Sequence, residues 1–279
     1  MPAWICTTCG LEYPDTPAPP VDDCAICADE RQYFLHGGQQ WTTLENLQQD
    51  RTATVEKLEP DLYGIMIEPK VGIGHRPLLV RTPNGNVLWD APGYFDDDLA
   101  ARIRDLGGIA AIASSHPHLT GLSPTWSQAF GGVPVWYGAD DRRWVRTPSD
   151  AIRFWQGTQV VLPGITLVQC GGHFPGSAVL HWAMGADGRG VAFSGDTFMV
   201  VADREHVTFM RSFPNMIPLP QRSVQKIVDA LAPWPFDRAY SGFTPGLLDG
   251  RADEKVRESA ARYIQWIRDD VRDPDERVD

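Results

Sequence analysis

Four cysteines near the start of the chain constrain it more than any other feature. Cys6-Thr7-Thr8-Cys9-Gly10 and Cys24-Ala25-Ile26-Cys27 form the spacing C-x2-C-x14-C-x2-C, in which each pair can turn tightly and aim two thiolates at one ion. Gly10, directly after the second cysteine, suits a turn that needs a permissive backbone. The stretch Pro14 to Pro20 is too proline-rich for a helix or an inner strand and reads as a loop. Some 30 residues cannot bury enough apolar surface to fold alone, so a closed metal site is expected to supply most of the stability of residues 1–35. Paired cysteines of this kind indicate ligation in a reducing compartment, with the cytoplasm as the expected location, rather than a disulfide framework. The fifth cysteine, Cys170, is expected to be a small core residue.

The opening Trp4-x-Cys6-x-x-Cys9-Gly10-x-x-Tyr13 resembles the first knuckle of rubredoxins, which implies iron and electron transfer. The gap to the second pair is much shorter here, and zinc on Cys6, Cys9, Cys24 and Cys27 is the expectation. The remaining length of the 279-residue chain allows one large α/β domain over 36–279. A net charge of -11 repels both a phosphate backbone and an anionic membrane, so nucleic acid and membrane are not expected partners. No run approaches the ~18 apolar residues of a membrane span, and residues 1–10 do not read as a secretory signal. The one basic cluster, Arg142, Arg143, Arg146 and Arg153, is expected on a solvated helix face beside Asp140, Asp141 and Asp150.

Short strands and helices alternate through the rest. Pro77 to Arg81 and Asn86 to Asp90 flank Asn84-Gly85, a hairpin signal, and Gly108 to Ser115 reads as a strand buried on both faces. Val133 to Tyr137, Val160 to Leu162 and Ile165 to Val168 follow as strands. Ala178 to Trp182 and Gly190 to Ser194 flank Asp187-Gly188 as a second hairpin. Val224, Ile227, Val228 and Leu231 recur at helical spacing, and Val256, Ala260, Ile264, Ile267 and Val271 form one apolar stripe on a charged helix.

Three histidines and an aspartate sit where strands end. In Ser115-His116-Pro117-His118, alternation places both imidazoles on one side of an extended chain, where they can face one metal. His173 follows in the glycine-rich turn Gly171-Gly172-His173-Phe174-Pro175-Gly176-Ser177, and Asp196 follows in Ser194-Gly195-Asp196-Thr197. Taken singly, each is explained as a satisfied polar group or a turn former. Together, three imidazoles and a carboxylate suit zinc or iron. His36, His75, His181 and His206 read as ordinary polar residues. Met199 to Pro220, with Phe209, Met210, Phe213 and Met216, reads either as an insertion able to fold over the site or as core packing beneath a helix.

With these landmarks in order, residues 55 to 250 resemble the metallo-β-lactamase-fold superfamily. The matching pieces are Leu88-Trp89-Asp90, His116-x-His118, Gly172-His173-x-x-Gly176-Ser177, Phe193-Ser194-Gly195-Asp196 and Tyr240-Ser241-Gly242. The resemblance implies an αββα sandwich of two mixed sheets with metal-binding loops along one edge. It implies that His116, His118 and His173 hold the first metal, that Asp196 bridges or reaches toward a second, and that Asp90 supports them from behind. Three positions depart from the family pattern: Thr120 and Gly121 stand where Asp and His continue H-x-H-x-D-H, and Ser241-Gly242-Phe243 stands where a Gly-His-Gly turn is usual. All three are second-metal ligands, so one zinc or iron is expected on His116, His118, His173 and Asp196. The expected activity is hydrolysis of a small-molecule ester, thioester or lactone, with Asp196 orienting or deprotonating the water and the Gly171-Gly172 amides near the oxyanion. The alternatives are a mononuclear iron oxygenase and an inactive binding protein, with the oligomeric state left open.

Overall fold

The computed structural model describes residues 3–272 and 275. The N-terminal segment forms a small sheet of β1 (Ala3–Cys6), β2 (Glu12–Asp15) and β3 (Trp41–Thr43), in the order β2-β1-β3. The strand β2 runs through Pro14, which belonged to the expected loop. It can do so because β2 is an edge strand, where a residue without an amide hydrogen leaves no rung unmade. Leu11, Tyr13 and Ile26 bury themselves with the four cysteines as the core of this segment, with Trp4, Phe34 and Trp41 partly buried against it, while Ile5 packs with Ile65, Leu79 and Leu88 of the first large sheet.

Among the described residues, two larger mixed sheets follow. The first has seven strands: β4 (Thr52–Glu59), β5 (Leu62–Glu68), β6 (Leu78–Val80), β7 (Val87–Trp89), β8 (Ala111–Ala113), β9 (Val135–Gly138) and β10 (Ile152–Trp155). β4 to β7 pair antiparallel, and β7 to β10 pair parallel. The Asn84-Gly85 hairpin closes as expected, with Leu78 opposite Trp89. The second sheet begins with β11 (Thr158–Leu162), β12 (Ile165–Gln169), β13 (Ala178–Trp182) and β14 (Val191–Gly195). Two short hairpins leave it, β15 (Met199–Val200) with β16 (Val207–Thr208) and β17 (Met210–Ser212) with β18 (Ile217–Pro218), before β19 (Arg238–Ser241) and β20 (Leu247–Asp249) complete the order β11-β12-β13-β14-β19-β20.

Alternation in the strands sorts side chains into three apolar layers. Val87, Trp89 and Ala111 meet Leu167, Leu180 and Phe193 between the sheets. On the outer face of the first sheet, Leu88 and Ile112 pack under Leu99 and Ile103 of the helix Asp97–Asp105 and Trp126 of the helix Ser123–Ala129. On the outer face of the second, Val168, Val179 and Ala192 receive Val224, Ile227 and Leu231 of the helix Gln221–Leu231 and Val256 and Ala260 of the helix Ala252–Ile267. The architecture is therefore the αββα sandwich. Phe209 and Leu219 belong to the third layer, so much of the Met199 to Pro220 stretch is core packing, whereas Met216 is exposed.

Two expectations for helices change. The C-terminal helix ends at Ile267, itself exposed, and Val271 lies beyond it, because the charged run after Trp266 offers no further apolar face to bury. The basic cluster does not share a helix: Arg142 and Arg143 lie on a 3-10 turn over Ala139–Trp144, Arg146 follows it, and Arg153 is on β10. Arg142 lies over the ring of Phe154 at 3.6 Å, which spends its guanidinium within the chain. None of the described helices is long and apolar enough to cross a membrane.

Candidate metal centres

The sulfur atoms of Cys6, Cys9, Cys24 and Cys27 lie within 4.8 Å of one another, all buried. Cys6 Sγ and Cys27 Sγ are 3.7 Å apart, as are Cys9 Sγ and Cys24 Sγ. A tetrahedral ion about 2.3 Å from each sulfur sets edges of about 3.8 Å, so the cage fits zinc or iron. The Gly10 amide donates to the Cys6 carbonyl and the Ala28 amide to the Cys24 carbonyl, which makes each pair the tight turn that its spacing requires. Tyr13 Oη donates to Cys24 Sγ at 3.2 Å and Gln39 Nε2 to Cys6 Sγ at 3.3 Å. Hydrogen bonds from Cys24 and Cys27 pull the Cys6 thiol far down, while burial pushes Cys9 well up. A divalent cation resolves that mixed state by taking all four as thiolates.

The second centre stands where strand ends converge. His116 follows β8, Asp196 follows β14, and His173 is on the turn between β12 and β13. The ends of the two sheets touch at Gly195, whose positive φ and bare Cα are both required: a Cβ there would stand 2.2 Å from Ser115 Oγ. This brings His116, His118, His173 and Asp196 together, with ligand atoms within 4.8 Å of one another and every one of the four residues at most 5% exposed. His173 Nε2 is 3.4 Å from His118 Nδ1, and Asp196 Oδ2 is 3.6 Å from His116 Nε2 and 3.8 Å from His173 Nε2.

The groups behind these ligands fix their tautomers. Asp90, in the left-handed region at φ 57, accepts the Ser115 amide on Oδ1 at 2.6 Å and Ser115 Oγ on Oδ2 at 3.0 Å. Ser115 Oγ in turn stands 2.9 Å from His116 Nδ1. The carbonyl of Met210 is 3.1 Å from His173 Nδ1, so that nitrogen carries the proton and Nε2 is bare. Burial, reinforced by the neighbouring imidazoles, holds His116 and His118 well below the usual histidine range. Burial also pushes His173 down to about 4 and Asp196 up to about 7. His116 Nε2 and Asp196 Oδ1 are buried without a hydrogen-bond partner. Bare imidazole nitrogens facing one another and a carboxylate at these distances can serve as donors to a metal ion, and the residues fit one.

One of the three positions that depart from the family pattern is closed. Gly121, at φ 48, packs so tightly that a Cβ would stand 2.1 Å from the Ala91 carbonyl oxygen, so no side chain fits there. Thr120 Oγ1 is turned to the Pro117 carbonyl. The expected amide at Gly171 is also unavailable for an oxyanion, because it donates to the Ser177 carbonyl. Sequence reasoning missed the part played by Ser115, whose signal was its place before the H-x-H, and by the Met210 carbonyl, which left no local signal. His75, expected to be an ordinary polar residue, has its Nε2 held by the carbonyls of Asp90 and Ala91 at 3.1 and 3.2 Å.

Comparison with known proteins agrees with this fold. No family model matches the chain. The chain is 43% identical over 274 residues to the uncharacterized protein YmaE of Bacillus subtilis (strain 168), covering 97% of this chain and 99% of YmaE. Among solved structures, the metallo-β-lactamase DIM-1, exposed to ceftazidime, superposes with a TM-score of 0.56 at 13% identity, over 75% of this chain and 97% of DIM-1. VMB-1 superposes equally, at 0.56 and 14% identity, over 77% and 98% of the two chains. A B3 metallo-β-lactamase with an active-site glutamic acid gives 0.50 at 17% identity, over 77% and 91%. The chain therefore belongs to one family with YmaE and is built on the metallo-β-lactamase fold.

Proposed function

We propose that this protein is a metal-dependent hydrolase of a small ester, thioester or lactone, working with a single ion on His116, His118, His173 and Asp196. The observation that supports this reading is the convergence of unpaired, buried donor atoms at the sheet edge, with Gly121 leaving no room for a ligand at that position. When bound, an ion at such a donor set lowers the pKa of a water from ~15.7 toward about 7 and polarises the scissile carbonyl. The chain's own groups do the rest. Asp90 and Ser115 hold the ring of His116, and the Met210 carbonyl holds that of His173. Asp196 turns Oδ2 to the imidazoles and keeps Oδ1 free, 3.6 Å from where a Cβ on Gly242 would stand. That oxygen is the acceptor that orients a water for attack and takes its proton. Phe174, stacked on His116 at 5.7 Å and buried, keeps bulk water off the imidazoles.

The test is metal analysis of freshly purified protein beside hydrolysis of a panel of aryl esters, thioesters and lactones. One ion in addition to the knuckle's, with hydrolysis that disappears in His116→Ala, supports the reading; two ions at the His/Asp cluster refute the single-ion claim. Full burial of all four donors favours a second reading, a closed ion site in a non-catalytic protein. An ion at this cluster without hydrolysis of any panel member selects it, and iron in place of zinc points to an oxygenase.

A further inference from the structure

The segment after the second cysteine pair reaches across to the turn that carries His173. Arg31 is 5% exposed, and its Nε donates to the His173 carbonyl at 2.7 Å. Its Nη1 is held by Asp29 Oδ1 at 2.6 Å, and its Cζ lies 4.3 Å from the ring centre of Phe174. The carbonyl of Arg31 accepts Ser212 Oγ at 3.1 Å, on the strand β17 whose Met210 carbonyl fixes the His173 imidazole. His173 is thus gripped at its backbone by Arg31 and at its ring by β17, and Ser212 ties the two grips together. Continuous turns lead back from Arg31 to the cysteines: the Ala28 amide donates to Cys24, Asp29 to Ile26 and Gln32 to Asp29.

We infer that Arg31 is a positioning residue through which the four-cysteine knuckle sets the third histidine, so that a loaded knuckle raises the ion affinity of the His/Asp cluster. A knuckle closed on an ion fixes residues 24–27 and, through those turns, the guanidinium; an open knuckle frees a buried charged hydrogen bond that the His173 turn needs. Partners standing behind metal ligands are worth about 10- to 100-fold in metal affinity when removed. The coupling is reciprocal, so an ion on the His/Asp cluster tightens the knuckle by the same factor. The inference rests on both clusters holding ions and does not depend on hydrolysis.

Cobalt(II) titration of the full chain tests it, because cobalt on thiolates gives sulfur-to-metal charge-transfer bands that nitrogen and oxygen donors do not. Arg31→Ala should keep the thiolate bands, bind cobalt at the His/Asp cluster about 10- to 100-fold more weakly and shift that site's d–d spectrum. Asn215→Ala is the control for a general tether, since Asn215 Nδ2 donates to the carbonyls of Glu30 and Gln32 without touching His173. It should leave the affinity within about threefold, on the scale of an ordinary surface change. Wild-type affinity and spectrum in Arg31→Ala overturn the inference, as does equal weakening in Asn215→Ala. Cys24→Ser with Cys27→Ser should weaken the His/Asp cluster as much as Arg31→Ala does, and unchanged affinity there also overturns it. Should that double variant fail to fold, Arg31→Ala remains decisive with all four cysteines intact. Wild-type protein that shows thiolate bands and no cobalt at the His/Asp cluster removes the ion reading of that cluster, and this inference with it.

Discussion

The two ligand clusters are equally buried and differently supported. The cysteines arrive as two local pairs on tight turns, and the fully buried apolar residues clustered with them are Leu11, Tyr13 and Ile26. The histidines and the aspartate arrive from the ends of strands in both sheets, above three apolar layers that exist whether or not an ion is present. An ion would therefore supply the first cluster with much of its shape, while the second inherits its shape from the fold. The difference teaches where metal binding is structural and where it is free to serve chemistry.

The sharpest way to break this contrast is to remove ligands from each cluster in turn. Cys9→Ser with Cys27→Ser should release one ion and unfold the N-terminal segment, since structural zinc in small cysteine sites supplies about 10–16 kcal/mol. Limited proteolysis should cut among residues 10–40 while the sandwich survives, and a segment that stays resistant would put both clusters in the same class. His116→Ala should release the other ion and bring hydrolysis of the panel to background, with far-UV circular dichroism unchanged. Collapse of the sandwich in that variant would show that its ion is structural too.

A smaller effect probes the ground between the clusters. Asp141 is buried, with Oδ1 accepting the Gly176 amide and Oδ2 unpaired, and burial raises its carboxyl to about 6 from 3.8. A folded-state pKa above the unfolded one means a contribution to stability that is full below pH 3.8 and is lost as the pH rises through 6. A shift of about two units carries roughly 3 kcal/mol at most. Asp141→Asn, which retains an acceptor for Gly176, should therefore raise the Tm relative to wild type at pH 7.5 and lose that advantage at pH 4. An equal difference at both values would remove the burial argument. The smallest effect is expected from Thr120→Ala: the hydroxyl reaches the Pro117 carbonyl and the Tyr137 side chain and no member of the His/Asp cluster, so ion content should be unchanged and stability should fall by about 0.5–1 kcal/mol. Loss of the ion in that variant would return position 120 to the ligand set.

Legibility in the sequence followed the same division. The cysteine cage was readable because its geometry is local: two residues between ligands and a glycine after the second. The β6–β7 and β13–β14 hairpins were readable for a similar reason, since Asn84-Gly85 and Asp187-Gly188 mark their turns. His116, His118, His173 and Asp196 could be singled out by their places at strand ends and by a family pattern, yet only the fold brings them within 4.8 Å. Arg31 was not readable at all, because the carbonyl it holds is 142 residues away and a lone arginine after a knuckle has no signature. The arginines at 142, 143, 146 and 153 were misread as one helix face because charge spacing alone does not distinguish a helix from a 3-10 turn followed by a strand.

The contact at Gly121 limits what a change of sequence at that position can achieve. A histidine cannot be restored there by one substitution, since its Cβ would enter the Ala91 carbonyl and the backbone at Ala91 and Pro92 would have to move first. A ligand at that one position is therefore blocked by strain before it can be rewarded by a second ion. Directed evolution that begins from this chain and selects for two-ion chemistry should therefore accumulate changes around residues 90–92 before any at 121.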